Sequence, residues 1–255
     1  CDLLFYVNAS KTIEEPNDRP VITPDDGNEP EKPDVTETKT GTLAFEDIWP
    51  GGGDYDMNDV IVEYNRAVSF DKKNQVTKIV DTFTPVHDGA VFANAFAYQV
   101  DKGQFGKMTF SATTEGIHTE SATSSIIVCP NVKQAIQKVY TITREFTGGS
   151  FNKKDLKSYN PYIIVKYAEG QKGRTEVHLP KHEATSLADL SLAGTQKDAY
   201  YIDKEGAYPF AIDIPILNFI SVTEKKSIDT EYPNFKAWAD SKGEKYTDWY
   251  NNHVN

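Results

Sequence analysis

The stretch from residue 45 to residue 64 combines a run of glycines with a high density of oxygen-bearing side chains. Its sequence, FEDIWPGGGDYDMNDVIVEY, places three consecutive glycines between two groups of acidic residues, and it contains no lysine or arginine. Carboxylates that converge on a tight loop repel one another unless a positive charge lies among them. A hard divalent cation with oxygen ligands is the usual solution, so this stretch predicts a calcium-type site. The carboxylates are those of Glu46, Asp47, Asp54, Asp56, Asp59 and Glu63.

The residues after the glycines are expected to supply most of the ligands. They begin with the spacing of an EF-hand loop, but Asp59 and Asn65 occupy the positions where that loop needs glycine and glutamate. A strand-like segment follows instead of a helix, so we interpret the stretch as a structural calcium loop between two strands. The glycines let the chain turn back so that both acidic groups meet. The alternative is a solvated acidic turn capped by its own side chains. The expected ligands are Asp54, Asp56, Asn58 and Asp59, with Glu46 or Asp47 completing the shell from the preceding strand.

Three histidines, His87, His178 and His182, raise the question of a zinc site. His178 and His182 have the spacing of two ligands on one helical turn, but Pro180 lies between them in a segment that reads as a strand. The chain has no HExxH motif, and no cysteine accompanies these residues. We therefore interpret all three as structural histidines.

The sequence gives little support for catalysis. It contains no G-x-S-x-G motif, which argues against a serine hydrolase. A glycosidase needs two carboxylates across a cleft, roughly 5–10 Å apart, and the sequence cannot place such a pair. The aromatic residues Tyr200, Tyr201 and Tyr208 would suit either an exposed sugar platform or packing on a sheet, and packing is the commoner role.

Composition excludes several classes of protein. The chain has 255 residues and a net charge of -11, which makes a phosphate backbone a poor partner. No apolar run approaches the roughly 18 residues of a membrane-spanning helix. Cys129 follows an apolar segment and is expected to be a buried thiol. Cys1 fits the acylated first residue of a mature lipoprotein; alternatively, the sequence merely begins there.

The pattern along the chain predicts an all-β fold. The expected architecture is an antiparallel β-sandwich, jelly-roll-like, with a short C-terminal helical segment. We expect a strand segment in residues 1–13, an acidic, proline-rich loop or linker in residues 14–42, and the main domain in residues 43–255. Strands are predicted at 59–70, 75–86, 91–100, 108–112, 125–128, 139–146, 161–167, 174–179 and 207–214, and helices at 234–242 and 247–251.

The acidic stretch and several later motifs resemble the LruC-domain family. FEDIWPGGGDYDMNDVIVEY is similar to the opening motif of that family, and VHDGAVFANAFAYQV, EVHLP, YPFAIDIP and YPNFKAWADSKGEKYTDWY resemble later segments. The resemblance covers about residues 43–250, with Asp88 inserted where the family usually has glycine directly after the histidine. It implies a domain of uncharacterised function in Gram-negative envelope proteins, without a known enzymatic activity. The glycine-rich acidic motif also resembles one in other extracellular β domains, where it is taken to bind calcium.

These observations predict a non-catalytic, calcium-stabilised β-sandwich of a bacterial cell-envelope protein that acts in adhesion or ligand binding. The protein is expected to be an outer-membrane lipoprotein or a secreted, surface-exposed protein, and a monomer. Its expected partner is a glycan, or a host or envelope protein; nucleic acid is excluded, and membrane contact is expected only through a lipid on Cys1. The alternatives are a glycan-binding module for polysaccharide capture and a carboxylate-pair glycoside hydrolase.

Overall fold

Strands dominate the described part of the chain, as its alternating β-branched and aromatic segments predict. The computed structural model describes residues 35–51, 53–146, 151–157, 159–169, 173–192, 201–202 and 208–254. The strands are β1 (Val35–Phe45), β2 (Val60–Phe70), β3 (Val76–His87), β4 (Ala95–Gln99), β5 (Thr109–Ala112), β6 (His118–Glu120), β7 (Ser125–Cys129), β8 (Tyr140–Glu145), β9 (Asn160–Ile164), β10 (Glu176–His178) and β11 (Ala211–Ile214).

Within these residues the strands form two antiparallel sheets. One sheet has the order β11-β1-β2-β3-β8-β5, and the other has the order β10-β9-β4-β7-β6. Helices are short, and in the described ranges none is long and apolar enough to cross a membrane. They are α1 (Lys102–Phe105), α2 (Ile228–Glu231) and α3 (Phe235–Asp240), with 3-10 turns at Val132–Gln134, Lys153–Asp155, Tyr167–Glu169, Leu190–Leu192 and Trp249–Asn251.

The hairpin of β1 and β2 positions the acidic loop. The two strands pair along their whole length, from Val35 opposite Phe70 to Phe45 opposite Val60. On its other edge β1 pairs with β11, with Phe45 opposite Ala211. Residues 46–59 therefore form the connection at the closed end of a hairpin in the interior of the larger sheet.

Hydrophobic packing covers both faces of β1 near this loop. Leu43 and Phe45 lie in the core between the sheets, together with Phe96 of β4 and Ile163 of β9. Ala44 points to the opposite face, where it joins a second cluster built largely from the C-terminal helical segment. That cluster contains Ile61, Ile212, Tyr232, Phe235 and Trp249. The alternation of side chains along a strand explains why consecutive residues enter different clusters.

A buried charge cluster links three strands of the larger sheet. Asp81 on β3 accepts a hydrogen bond of 2.6 Å from Nε of Arg66 on β2 and one of 3.0 Å from Arg144 on β8. The hydroxyl of Tyr98 also donates to Asp81, at 3.1 Å. The two guanidinium groups hold the pKa of Asp81 below its ordinary value even though burial opposes this.

The all-β sandwich predicted from the sequence is confirmed, and so is the buried thiol of Cys129. One boundary is wrong: residues 35–42 belong to β1, although the predicted linker included them. The prolines end at Pro33, and the alternating sequence VTETKTGT that follows pairs with β2. Strand β6 and helices α1 and α2 were not predicted, because each is only three or four residues long. The predicted strand segment in residues 1–13 lies outside the described residues.

Candidate metal centre

Hydrogen bonds from the surrounding protein hold Glu46, the first residue after β1, in place. Its N–H donates to the carbonyl of Phe210 at 2.9 Å, which continues the pairing of β1 with β11. Its carboxylate oxygen Oε1 accepts a hydrogen bond of 2.5 Å from the N–H of Met57. The side chain is 0% exposed, and its second oxygen, Oε2, is buried without a hydrogen-bond partner among the described residues. A buried carboxylate oxygen without a partner is costly unless a cation or a proton offsets its charge.

Two further carboxylates converge on Glu46. One oxygen from each of Glu46, Asp54 and Asp56 lies within 4.8 Å of the other two. Asp56 is fixed by two backbone donors, since its Oδ2 accepts from Lys225 N–H at 2.9 Å and its Oδ1 from Asn58 N–H at 3.3 Å. Asp54 is exposed, so the cluster is accessible from solvent. An oxygen-only set of this kind is typical of a hard cation such as Ca²⁺.

The loop backbone curves tightly to achieve this convergence. Tyr55 and Met57 both adopt left-handed conformations, with φ of 56° and 54°. Such conformations are unfavourable for residues other than glycine, and they persist where the surroundings fix them. A Cβ atom on Gly53 would lie 2.6 Å from Glu46 Oε2. Glycine at this position therefore leaves room beside the oxygen that lacks a partner.

Burial and mutual repulsion raise the pKa values of Glu46, Asp56 and Asp59, in and beside the cluster. Burial raises the pKa of Glu46 well above its ordinary value, and the nearby acids Asp59, Asp56 and Asp54 raise it further. Burial, followed by the charge of Asp47, raises the pKa of Asp59 to about 7. Burial likewise raises the pKa of Asp56. At neutral pH the loop must therefore retain protons or bind a cation to relieve the repulsion.

Asp47 and Asp59 form a neighbouring pair. The N–H of Asp47 donates to Asp59 Oδ2 at 2.8 Å, and Asp47 Oδ2 accepts from the amide Nδ2 of Asn94 at 2.7 Å. Asn94 also accepts from the N–H of Lys166 at 3.1 Å, so it connects the loop to the end of the second sheet. Of the two acids after β1, Glu46 lies with Asp54 and Asp56, whereas Asp47 faces Asn94.

Asn58 connects the loop to the C-terminal part of the chain. Its Nδ2 donates to the carbonyl of Val222 at 3.2 Å. Its Oδ1 is buried without a hydrogen-bond partner among the described residues, and a Cβ atom on Gly89 would lie 2.5 Å from it. The carbonyl of Tyr55 accepts from the N–H of Ile228 at 2.8 Å. Hydrogen bonds therefore connect the loop to the segment before α2 and to the first residue of α2.

Sequence reasoning missed the partners of the loop. Asn94 lies 47 positions after Asp47, and Val222 and Lys225 contribute only backbone groups, so neither spacing nor residue type identifies them. Asp88 pairs with Lys133 at 3.0 Å, and Lys133 also donates to the carbonyl of Ala90. Nothing in the sequence indicated this ion pair next to the loop.

The other candidate residues that the structure describes have structural roles. His178 is buried, with Nδ1 2.7 Å from Asn160 Oδ1 and Nε2 2.9 Å from Glu176 Oε2. The ring nitrogen Nδ1 of His182 donates to the carbonyl of Pro180 at 3.3 Å. Tyr201 and Tyr208 are buried in the two hydrophobic clusters and do not form an exposed platform. Tyr200 and Cys1 lie outside the described residues.

Fold and site together define an all-β sandwich domain with an acidic loop at the closed end of a central hairpin. The model of a domain of unknown function, DUF4842, matches residues 74–250, and the chain belongs to that family. The acidic loop precedes the matched region. The relation to the LruC-domain family stays a prediction.

A solved structure shows the same fold. It is a crystal structure from Bacteroides ovatus whose description is "putative lipoprotein". The two chains are 17% identical with a TM-score of 0.64, and the similarity covers 88% of this chain and 76% of that chain. A comparison with curated proteins found no match.

Proposed function

We propose that this chain is a non-catalytic, calcium-binding β-sandwich domain of the bacterial cell envelope. One observation carries the calcium assignment: Glu46 Oε2 is buried and has no hydrogen-bond partner among the described residues, beside the carboxylates of Asp54 and Asp56. A divalent cation among these oxygens would replace the missing partner and offset the repulsion between the carboxylates.

Calcium fits the ligand set better than other cations do. Three carboxylates on an irregular loop, with backbone carbonyls nearby, suit the flexible coordination by six to eight oxygens that Ca²⁺ accepts. Magnesium demands a more rigid octahedron and keeps several of its waters. Zinc prefers nitrogen and sulfur ligands, and no histidine or cysteine belongs to this group.

The role that we assign to the ion is structural. Glu46 continues from β1 and is bonded to Phe210, whereas Asp56 is bonded to the backbone of Lys225. A cation held by both side chains would fasten the β1–β2 hairpin to the segment before α2. Because the hairpin lies in the interior of the larger sheet, this attachment would stabilise the whole domain rather than one loop.

Two further considerations support a location in the cell envelope. The solved structure of similar fold carries the description quoted above. The resemblance of the sequence to the LruC-domain family implies the same compartment. Adhesion or capture of a ligand at the cell surface is the role that we assign to such a domain.

Calorimetric titration of the chelator-treated protein with Ca²⁺ tests the metal assignment. We expect saturable binding of one ion, and weaker binding of Mg²⁺. Asp54→Asn changes an exposed ligand with minimal effect on packing and should weaken calcium binding at least about 10-fold. Asp56→Ala should remove most of the stabilisation by calcium.

Asp248→Asn is the matched control, since this exposed acid lies just before the last 3-10 turn and is not one of the three carboxylates that converge in the loop. Its calcium affinity should equal that of the wild-type protein. No heat on adding Ca²⁺, together with a melting temperature that responds to neither chelator nor Asp56→Ala, would show that the loop is only a solvated acidic turn.

A further inference from the structure

A cavity of about 570 Å³ lies on the side of the larger sheet that faces α3. Its walls combine the turn after β10, the strand β11 and the end of α3, through Leu179, Pro209, Ile212 and Trp238. This volume falls within the range of about 300–1,000 Å³ that is typical of small-molecule sites. No described residue of the acidic loop lines the cavity.

The walls of the cavity are mainly apolar. Proline, leucine, isoleucine and alanine side chains provide most of the lining, and the indole of Trp238 adds an aromatic surface. Trp238 is fixed by ring contacts with Phe235 at 5.3 Å and Trp249 at 5.6 Å. The turn after α3 passes close to the indole, since a Cβ atom on Gly243 (φ 83°) would lie 3.5 Å from Trp238 Nε1. A sugar would find few hydrogen-bond partners here, whereas a hydrocarbon chain would bury apolar surface.

Among the described residues, the charged side chains that line the cavity carry a net positive charge. Lys181 and Lys242 both line it, both are exposed, and neither has an ion-pair partner among the described residues. Asp213 also lines it, but Lys39 pairs with its carboxylate at 2.8 Å and the hydroxyl of Tyr64 donates to it at 2.8 Å. Two cationic side chains at an apolar cavity are notable on a chain with a net charge of -11.

We propose that this cavity binds an anionic amphiphile, a molecule with a carboxylate head and a single hydrocarbon tail. The tail would lie against the apolar walls and the indole of Trp238, and the carboxylate would lie between Lys181 and Lys242. Apolar burial supplies the affinity, and the two lysines select a negative head group over a neutral one. The described residues that line the cavity do not include Glu46, Asp54 or Asp56, so variants of the two sites can be tested separately.

Titration of the calcium-loaded protein with octanoate, followed by ¹H–¹⁵N NMR, tests the proposal. The chain has three tryptophans, so each indole N–H reports separately. Octanoate should shift the Trp238 signal saturably, while the signal of the buried Trp49, which is not in ring contact with Trp238, changes little. Octanol carries the same tail without the charge and should bind more weakly, and acetate carries the charge without the tail and should not bind.

Substitution of the two lysines tests the head-group contact. Lys181→Gln with Lys242→Gln should weaken octanoate binding about 5- to 30-fold in total. Both residues have positive φ values, 66° and 59°, and glutamine is a long unbranched residue like lysine, so the fold should be unaffected. The control pair, Lys73→Gln with Lys78→Gln, removes two positive charges that do not line the cavity and should change the affinity less than two-fold.

Three results would overturn the proposal. The first is an unchanged Trp238 signal at saturating octanoate. The second is equal affinity for octanol, which would remove the role of the negative charge. The third is an equal loss in the two lysine pairs, which would reduce the effect to the overall charge of the chain.

Discussion

Glu46→Gln should have opposite effects on stability with and without calcium. The substitution keeps the size of the side chain and leaves one oxygen to accept from the N–H of Met57. It removes the negative charge of a side chain that is 0% exposed and replaces one oxygen by an amide that can donate to Asp54 or Asp56. Without calcium this relieves an unsatisfied buried charge, so the free energy of unfolding should rise by about 1–3 kcal/mol.

With calcium the sign reverses, because the variant lacks a charged ligand. At 100 times the dissociation constant, calcium stabilises the wild-type protein by about 2.7 kcal/mol. A 100-fold loss of affinity would reduce this to about 0.4 kcal/mol at the same concentration. For a domain of this size, chelation should lower the wild-type melting temperature by about 5–11 °C and that of Glu46→Gln by less than about 2 °C.

The pH dependence without calcium provides a second check on the same substitution. The pKa of Glu46 is raised in the folded state, so this group favours folding below its unfolded value of 4.5, and that contribution is lost as the pH rises through the folded pKa. Glutamine does not titrate, so the stability of the variant relative to the calcium-free wild-type protein should differ little at pH 4 and should increase at higher pH. Thermal melts with chelator from pH 4 to pH 8 measure it.

Glu115→Gln is the matched control, since this exposed glutamate lies far along the chain from the loop. Its melting temperature should follow that of the wild-type protein in every condition. The reasoning is refuted if Glu46→Gln destabilises the calcium-free protein at pH 8 by as much as it destabilises the calcium-loaded protein. That result would mean that the carboxylate is satisfied without a cation.

Three further outcomes are expected. Gly53→Ala should weaken calcium binding at least about 10-fold in calorimetry, because its Cβ would lie 2.6 Å from Glu46 Oε2, and an unchanged affinity would contradict this geometry. Asp81→Asn should destabilise the domain by about 3–5 kcal/mol in urea unfolding, because it leaves two buried guanidinium groups without their counter-charge. The lowered pKa of Asp81 gives stability above the unfolded value of 3.8 that is lost as the pH falls through the folded pKa, and the variant should lack this loss. Cys1→Ser should abolish palmitate labelling of the full-length protein; labelling that persists in the variant, or that is absent from the wild type, would exclude acylation of this residue.

Local patterns in the sequence predicted the strands and the helix whose residues show alternation or helical spacing. The strands β2 and β3 follow from alternation, and α3 follows from the helical spacing of Phe235, Trp238 and Ala239 before Gly243. Residues 35–42 of β1 were assigned to the linker, because prolines and acids dominate the composition of residues 14–42, although the last proline of that range is Pro33. Pairing with β2 over eleven residues makes that segment a strand. Composition alone does not show which segments pair.

The sequence also could not decide which of Glu46 and Asp47 reaches the candidate metal site. Both residues are acidic and adjacent, so the sequence gives no basis for ranking them. Successive side chains of an extended chain point in opposite directions, so at most one of them can reach a given site. The structure places Glu46 with Asp54 and Asp56 and turns Asp47 towards Asn94, a partner that is distant in sequence.

The family match and the site together indicate how the domain depends on its N-terminal strands. The matched region begins at residue 74, so it excludes β1, β2 and the acidic loop. Without β1 and β2, β11 and β3 would each lose the neighbour that they pair with in the interior of the larger sheet. The loop in turn takes its backbone partners from Phe210, Val222 and Lys225, which lie within the matched region. A cation at the loop would therefore join the two parts of the chain at the point where the central hairpin meets the C-terminal segment. From this position we expect a small acidic turn to affect the stability of the whole sandwich.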